Sequence, residues 1–178
     1  MVQDGCRQIP SSVAIVHRGL GDLAEQSQEL SELEYGIVIA SAALMRWMER
    51  CMKASGAVEM NALDVKVLQN LTSRGRAKRQ ADICLLLNIE DTHTVTYALK
   101  KLGKLGLVVG EKQGKEMFYR TTDKGRERCQ EYADIRRECL IVAFDNLHID
   151  PEEIHRLAGM LRAMSGLYDQ AARAATSL

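Results

Sequence analysis

Residues 78–109 run KRQADICLLLNIEDTHTVTYALKKLGKLGLVV, and the fold turns on how this stretch divides. Lys78 to Leu87 predicts a short helix with Ala81, Cys84, Leu85 and Leu87 facing inward. Asn88 tolerates the left-handed conformation that ends a helix, and Ile89 would anchor the turn in a core. Asp91 or Thr92 then caps a second helix, in which Val95, Ala98, Leu99, Leu102 and Leu105 recur at helical spacing until Gly106 stops it. Two helices joined by so tight a turn predict a helix-turn-helix.

Working outward, Leu107-Val108-Val109 and Met117-Phe118-Tyr119 are β-prone runs flanking Lys112-Gln113-Gly114-Lys115, where glycine permits a tight reversal. This hairpin is the expected wing. On the other side, Asn61 caps a helix whose Leu63, Val67, Leu68 and Leu71 form an apolar stripe, broken at Arg74-Gly75-Arg76. Upstream, Ser31 and Glu34 have capping-box spacing, and a helix follows to about Ala54 before Ser55-Gly56. Its apolar residues, from Ile37 through Trp47 to Met52, cover more than one face, so burial on two sides implies a second chain. After the wing, Asp123 starts a helix to about Asn146, and Asp150-Pro151-Glu152-Glu153 opens a last one. Residues 1–30 read as an arm with one short strand at Val13-Ala14-Ile15-Val16.

The fold class is therefore mainly α with a small β-hairpin wing. Four segments are expected: an N-terminal arm at 1–30, a dimerisation helix at 31–60, a winged helix-turn-helix at 61–128 and C-terminal dimerisation helices at 129–178. The apolar fraction of 46% suits a globular chain, and no run approaches the roughly 18 residues of a membrane span, which gives the expectation of a cytoplasmic protein without a membrane partner. Cys6, Cys51, Cys84, Cys129 and Cys139 are odd in number and include no CxxC pair, so neither a disulfide framework nor a zinc site is expected.

The net charge of zero hides a sorting of charge along the chain. Residues 74–128 hold 13 Lys or Arg against 7 Asp or Glu, leaving 11 against 17 elsewhere. A basic segment on an acidic body suits a polyanion-binding face, because phosphate neutralisation dominates nucleic-acid affinity. With Val95, Ala98, Leu99 and Leu102 inward, the second helix turns His93, Thr94, Thr96, Tyr97, Lys100, Lys101 and Lys104 outward, and Thr92 lies at its start. Threonine can bond base edges or touch a thymine methyl, His93 and Tyr97 add donors and apolar surface, and the lysines suit phosphates. Arg74, Arg76, Lys78 and Arg79 cluster before the preceding helix, and Lys112 and Lys115 flank the wing turn. All are candidate contacts to double-stranded DNA.

Several strings taken together resemble the MarR family of winged-helix transcription regulators. They are Thr94-Val95-Thr96, Leu102, Leu105-Gly106-Leu107-Val108 and Thr121-Thr122-Asp123-Lys124-Gly125, and the resemblance covers roughly residues 31–170. It implies a triangular homodimer that holds two winged units over successive major grooves of a pseudo-palindromic operator. It also implies a small-molecule effector between the dimer base and the winged units. Two departures stand out: the wing is short and lacks an Asp-x-Arg tip, and Tyr97 replaces the arginine that often follows the Thr-x-Thr string.

Other constellations carry less. His148, Glu152 and His155 are too thin a ligand set for a metal, and Glu152 is equally suited to a helix start. Cys6 and Cys51 are the positions from which oxidant sensing would come, but core packing accounts for cysteine here. No glycine-rich phosphate loop, HExxH or nucleophile elbow supports an enzyme or a cofactor. The competing reading is a winged helix that serves as an interaction or architectural module without operator specificity.

Overall fold

The computed structural model describes residues 28–177 except Val58. The expected arm strand at Val13–Val16, and Cys6, lie outside the described residues. Helix α1 spans Gln28–Ala54. Ser31 therefore sits inside the helix rather than capping it, because Gln28, Glu29 and Leu30 are themselves good helix formers and carry it upstream. Helix α2, Ala62–Thr72, opens on a full capping box: the Asn61 side chain accepts from the Asp64 N–H and the Asp64 carboxylate accepts from the Asn61 N–H, both at 2.9 Å. A 3₁₀ turn at Ser73–Gly75 follows, with Gly75 at φ 58°.

Here the structure departs from the predicted helix at Lys78–Leu87. Lys78 and Arg79 form a two-residue strand β1, and helix α3 begins only at Gln80, running to Leu87. Wound from Gln80, α3 buries Ile83 and Cys84 and packs Leu87 against the core, whereas Ala81 and Leu85, predicted inward, are exposed, Leu85 by 82%. The run Leu85-Leu86-Leu87 is apolar throughout, so its periodicity could not fix the phase. Helix α4, Thr92–Lys104, buries Val95, Ala98, Leu99 and Leu102 as expected.

Gly106, at φ 71°, closes α4 with two characteristic bonds: its N–H reaches the Gly103 carbonyl at 3.0 Å and the Leu107 N–H reaches that of Leu102 at 2.9 Å. Strands β2, Val108–Gln113, and β3, Glu116–Thr121, form the wing around a two-residue turn with Gly114 at φ 63°. That geometry needs glycine at the first turn position. β1 adds to the far edge of β3, with Lys78 opposite Tyr119 and Arg79 opposite Phe118, so the sheet order is β1-β3-β2. The core lies between these elements, joining Met52 of α1, Leu68 and Leu71 of α2, Ile83 of α3, Leu102 of α4 and Tyr132 of the next helix.

Helix α5, Asp123–Arg136, passes through a π turn at Arg137–Ile141 into a short α6, Val142–Asp145. Thr122 caps α5 by accepting from the Gly125 N–H at 3.1 Å. Helix α7, Pro151–Ala175, starts as predicted, with Asp150 accepting from the Glu152 N–H and Pro151 in the first turn. None of the residues of α7 is buried in the described single chain. Its polar links to the rest include Tyr168 Oη donating to Glu34 at 3.2 Å and Asn88 Nδ2 donating to Ser165 and Asp169, each at 3.3 Å. No helix among the described residues is long and apolar enough to cross a membrane.

Candidate nucleic-acid interface

The turn between α3 and α4 is fixed by its own backbone. Asn88 adopts φ 51°, and the Ile89 N–H reaches back to the Cys84 carbonyl at 2.9 Å. Asp91 then caps α4: its carboxylate accepts from the His93 N–H at 2.9 Å, and its carbonyl accepts from the Thr94 hydroxyl at 2.7 Å. The first turn of α4 is thus held rigidly by its cap.

Along the outward face, Thr92, His93, Tyr97, Lys100 and Lys104 are exposed, Tyr97 by 72%, while Thr94 and Thr96 are half-buried. Thr96 is constrained further. Its hydroxyl donates to the Thr92 carbonyl at 3.0 Å and accepts from Gln80 Nε2 at 2.8 Å, and the same amide nitrogen donates to the Thr92 carbonyl at 2.8 Å. With its proton committed, the Thr96 hydroxyl keeps one lone pair free to accept, beside its methyl group. Gln80 escaped sequence reasoning, because a bond across the turn has no local signature; its place as the first residue of α3 emerges only once the helix start is known.

The basic residues divide into two groups. Lys101, predicted outward, instead pairs with the buried carboxylate of Asp64 at 2.7 Å. Lys78 likewise turns in, donating to the Asn70 and Ser73 carbonyls at the end of α2. Arg79 forks onto Asp82, with contacts of 2.9 and 3.0 Å, and reaches Glu116 at 3.0 Å, clasping α3 to the wing; these two carboxylates push its pKa up. Arg76, Lys100, Lys104, Lys112 and Lys115 remain exposed, and Arg120 on β3 joins them as a cation not singled out from sequence. Arg74 lies in the 3₁₀ turn.

The remaining polar clusters do not compete with this face. Among the described residues no group of three His, Cys, Asp or Glu side chains is arranged around a metal position. Burial pushes the Cys51, Cys84 and Cys129 thiols above their ordinary range, which keeps them protonated and slow to react at neutral pH. Iodoacetamide labelling followed by peptide mapping is expected to mark exposed Cys139 well before those three; simultaneous labelling would mean the core opens readily.

Residues 60–125 match the family model described as a winged helix DNA-binding domain. No curated protein matches the sequence. Solved structures do match. A MarR family regulator from Neisseria meningitidis superposes with a TM-score of 0.64 at 18% identity, over 82% of this chain and 96% of its own. The chain has the fold of the MarR-family regulators. Two further matching structures were solved with a bound molecule. Reduced AbfR, solved bound to DNA, gives 0.64 at 19% identity over 78% of this chain and 94% of its own. CouR from Rhodococcus jostii RHA1, solved with p-coumaroyl-CoA, gives 0.61 at 13% identity over 78% and 95%. Within this MarR fold, α3 and α4 are the helix-turn-helix and β2–β3 the wing.

Proposed function

We propose that the chain is a cytoplasmic transcription regulator that binds a pseudo-palindromic operator as a homodimer, with α4 as the recognition helix. The observation that carries this reading is the outward face of α4: Thr94, Thr96 and Tyr97 stand at its capped N-terminal end, with exposed Lys100 and Lys104 further along. Base readers and phosphate binders are thus ordered as a groove requires. Lys112, Lys115 and Arg120 on the wing, and Arg76 beside α3, extend the basic surface. Lys78, Arg79 and Lys101 serve instead to hold the reading unit together.

Dimerisation is supported by what a lone chain leaves uncovered. Val38, Ile39, Leu44 and Met45 of α1 and Leu157, Met160, Leu161 and Leu167 of α7 are exposed apolar residues on long helices. A small-molecule effector belongs to the same proposal through the likeness to CouR.

Selection of bound duplexes from a random pool tests the reading. Enrichment of one inverted-repeat sequence is the expected result, and a folded dimer that enriches nothing would favour an architectural or protein-interaction module. On the selected site, Tyr97→Ala is expected to alter base preference. Lys100→Ala should weaken selected and random duplexes alike and lower the salt slope by about one counterion. Titrations at several salt concentrations separate the two effects.

A further inference from the structure

The polar chain that ends at Lys101 begins on a different helix. Glu49, on α1, accepts from the Ala62 N–H at the start of α2 at 2.9 Å. Two residues on, the Asp64 side chain is only 3% exposed, and its Oδ2 takes both the Asn61 N–H at 2.9 Å and the Lys101 ammonium at 2.7 Å. Each link has a charged partner, and such bonds are short and roughly twice as strong as neutral ones. A carboxylate this buried must keep its cation, so the link to α4 has little freedom to open. Meanwhile Lys100 and Lys104 on the same helix stay exposed.

We propose that Glu49, Asp64 and Lys101 are positioning residues for DNA reading, which lock α4 to α1 so that the dimer base sets the angle at which the recognition helix meets the groove. This rests on α4 being the reading helix. The N-terminus of α2 is the joint: Glu49 fixes it to α1 from one side, and Asp64 fixes it to α4 from the other. Lys101 then touches no phosphate, although it sits in a lysine pair where charge alone suggests that it would. Loosening this joint leaves the attraction for any duplex intact and blurs the fit to the right one.

The test measures binding to the selected duplex and to a random duplex over a range of salt for the full chain and for Lys101→Met, Lys101→Arg, Asp64→Asn, Glu49→Ala and the double variant Asp64→Asn/Lys101→Met. Lys100→Ala serves as the phosphate-contact comparison. Stoichiometric titration fixes the active fraction, so that loss of folded protein is not counted as loss of affinity. The expected result is a roughly tenfold or greater fall in the ratio of selected to random binding for Lys101→Met and Asp64→Asn, a smaller fall for Glu49→Ala, and an unchanged salt slope in all three. Lys101→Arg, which keeps the charge pair, should retain most of the discrimination. The double variant removes both charges, and so avoids stranding either; it should fold and discriminate no worse than the poorer single variant.

Equal losses on both duplexes with a reduced slope for Lys101→Met would make Lys101 a phosphate contact and overturn the proposal. Additive losses in the double variant would overturn it as well, since the two residues would then act independently. If the unmodified chain itself shows no preference for any duplex, the reading of α4 fails first, and the proposal falls with it.

Discussion

Gly125→Ala is expected to destabilise the winged unit by about 3 kcal/mol, in the range that overpacking a rigid site costs. The reason is a single close approach. A Cβ at position 125 would fall well inside van der Waals contact with the Leu107 carbonyl oxygen, 2.6 Å from Thr121 Cγ2 and 3.1 Å from the Leu107 carbonyl carbon. That oxygen cannot retreat freely, because it accepts from the Thr122 N–H at 3.0 Å. Nor can α5 easily withdraw: the Gly125 N–H is itself the donor to the Thr122 cap, and Lys124 donates to the Leu105 carbonyl at 2.9 Å. The crossing of α5 over the junction of α4 and the wing is therefore built around the missing side chain. A thermal melt followed by circular dichroism should show the midpoint lowered by roughly 10 °C, taking about 2–4 °C per kcal/mol for a chain of this size. A change of a degree or two would mean that the helix can slide away and that glycine is not required there.

The second large effect is expected on α7. Met160→Glu combined with Leu161→Glu should convert the proposed homodimer to monomers and lower affinity for a two-half-site duplex by at least about a hundredfold, as expected when bivalent engagement is lost. α7 is 25 residues long with no buried residue, and Leu157, Met160, Leu161 and Leu167 recur along it at helical spacing. A helix with that pattern gains most of its stability by covering its stripe. The side-chain bonds from Tyr168 to Glu34 and from Asn88 to Ser165 and Asp169 steer α7 within one chain but bury little apolar surface. Sedimentation at micromolar concentration, paired with titration of whole and half-site duplexes, checks this. Unchanged sedimentation would place the dimer contact elsewhere; monomers that still bind the whole site at full strength would remove the need for paired units.

Much of this architecture was legible locally. Asn61, Asn88, Asp91 and Gly106 each mark a helix end through their own backbone chemistry, and each is found at the boundary it announces. The inward face of α4 was equally plain, since four apolar residues at helical spacing admit one phase. What escaped was non-local. β1 consists of two residues held extended by β3, some forty residues later, and the apolar run Leu85-Leu86-Leu87 leaves the phase of α3 to its packing.

The candidate site divides along the same line. Tyr97 and Lys100 follow from periodicity alone. That Lys101, Lys78 and Arg79 are consumed by Asp64, by backbone carbonyls and by Asp82 with Glu116 depends on partners that a linear pattern does not bring together. A count of basic residues therefore overstates how many are available to phosphate. The same holds for Thr96, whose acceptor-only character comes from Gln80 across the turn.

Hydroxyl-radical footprinting of the full chain on its selected duplex tests the central claim most directly. Two symmetric protected tracts on one face of the duplex, centred about one helical turn or a whole number of turns apart, are predicted for paired winged units with α4 in successive major grooves. A single tract, or uniform protection without a two-fold centre, would contradict it.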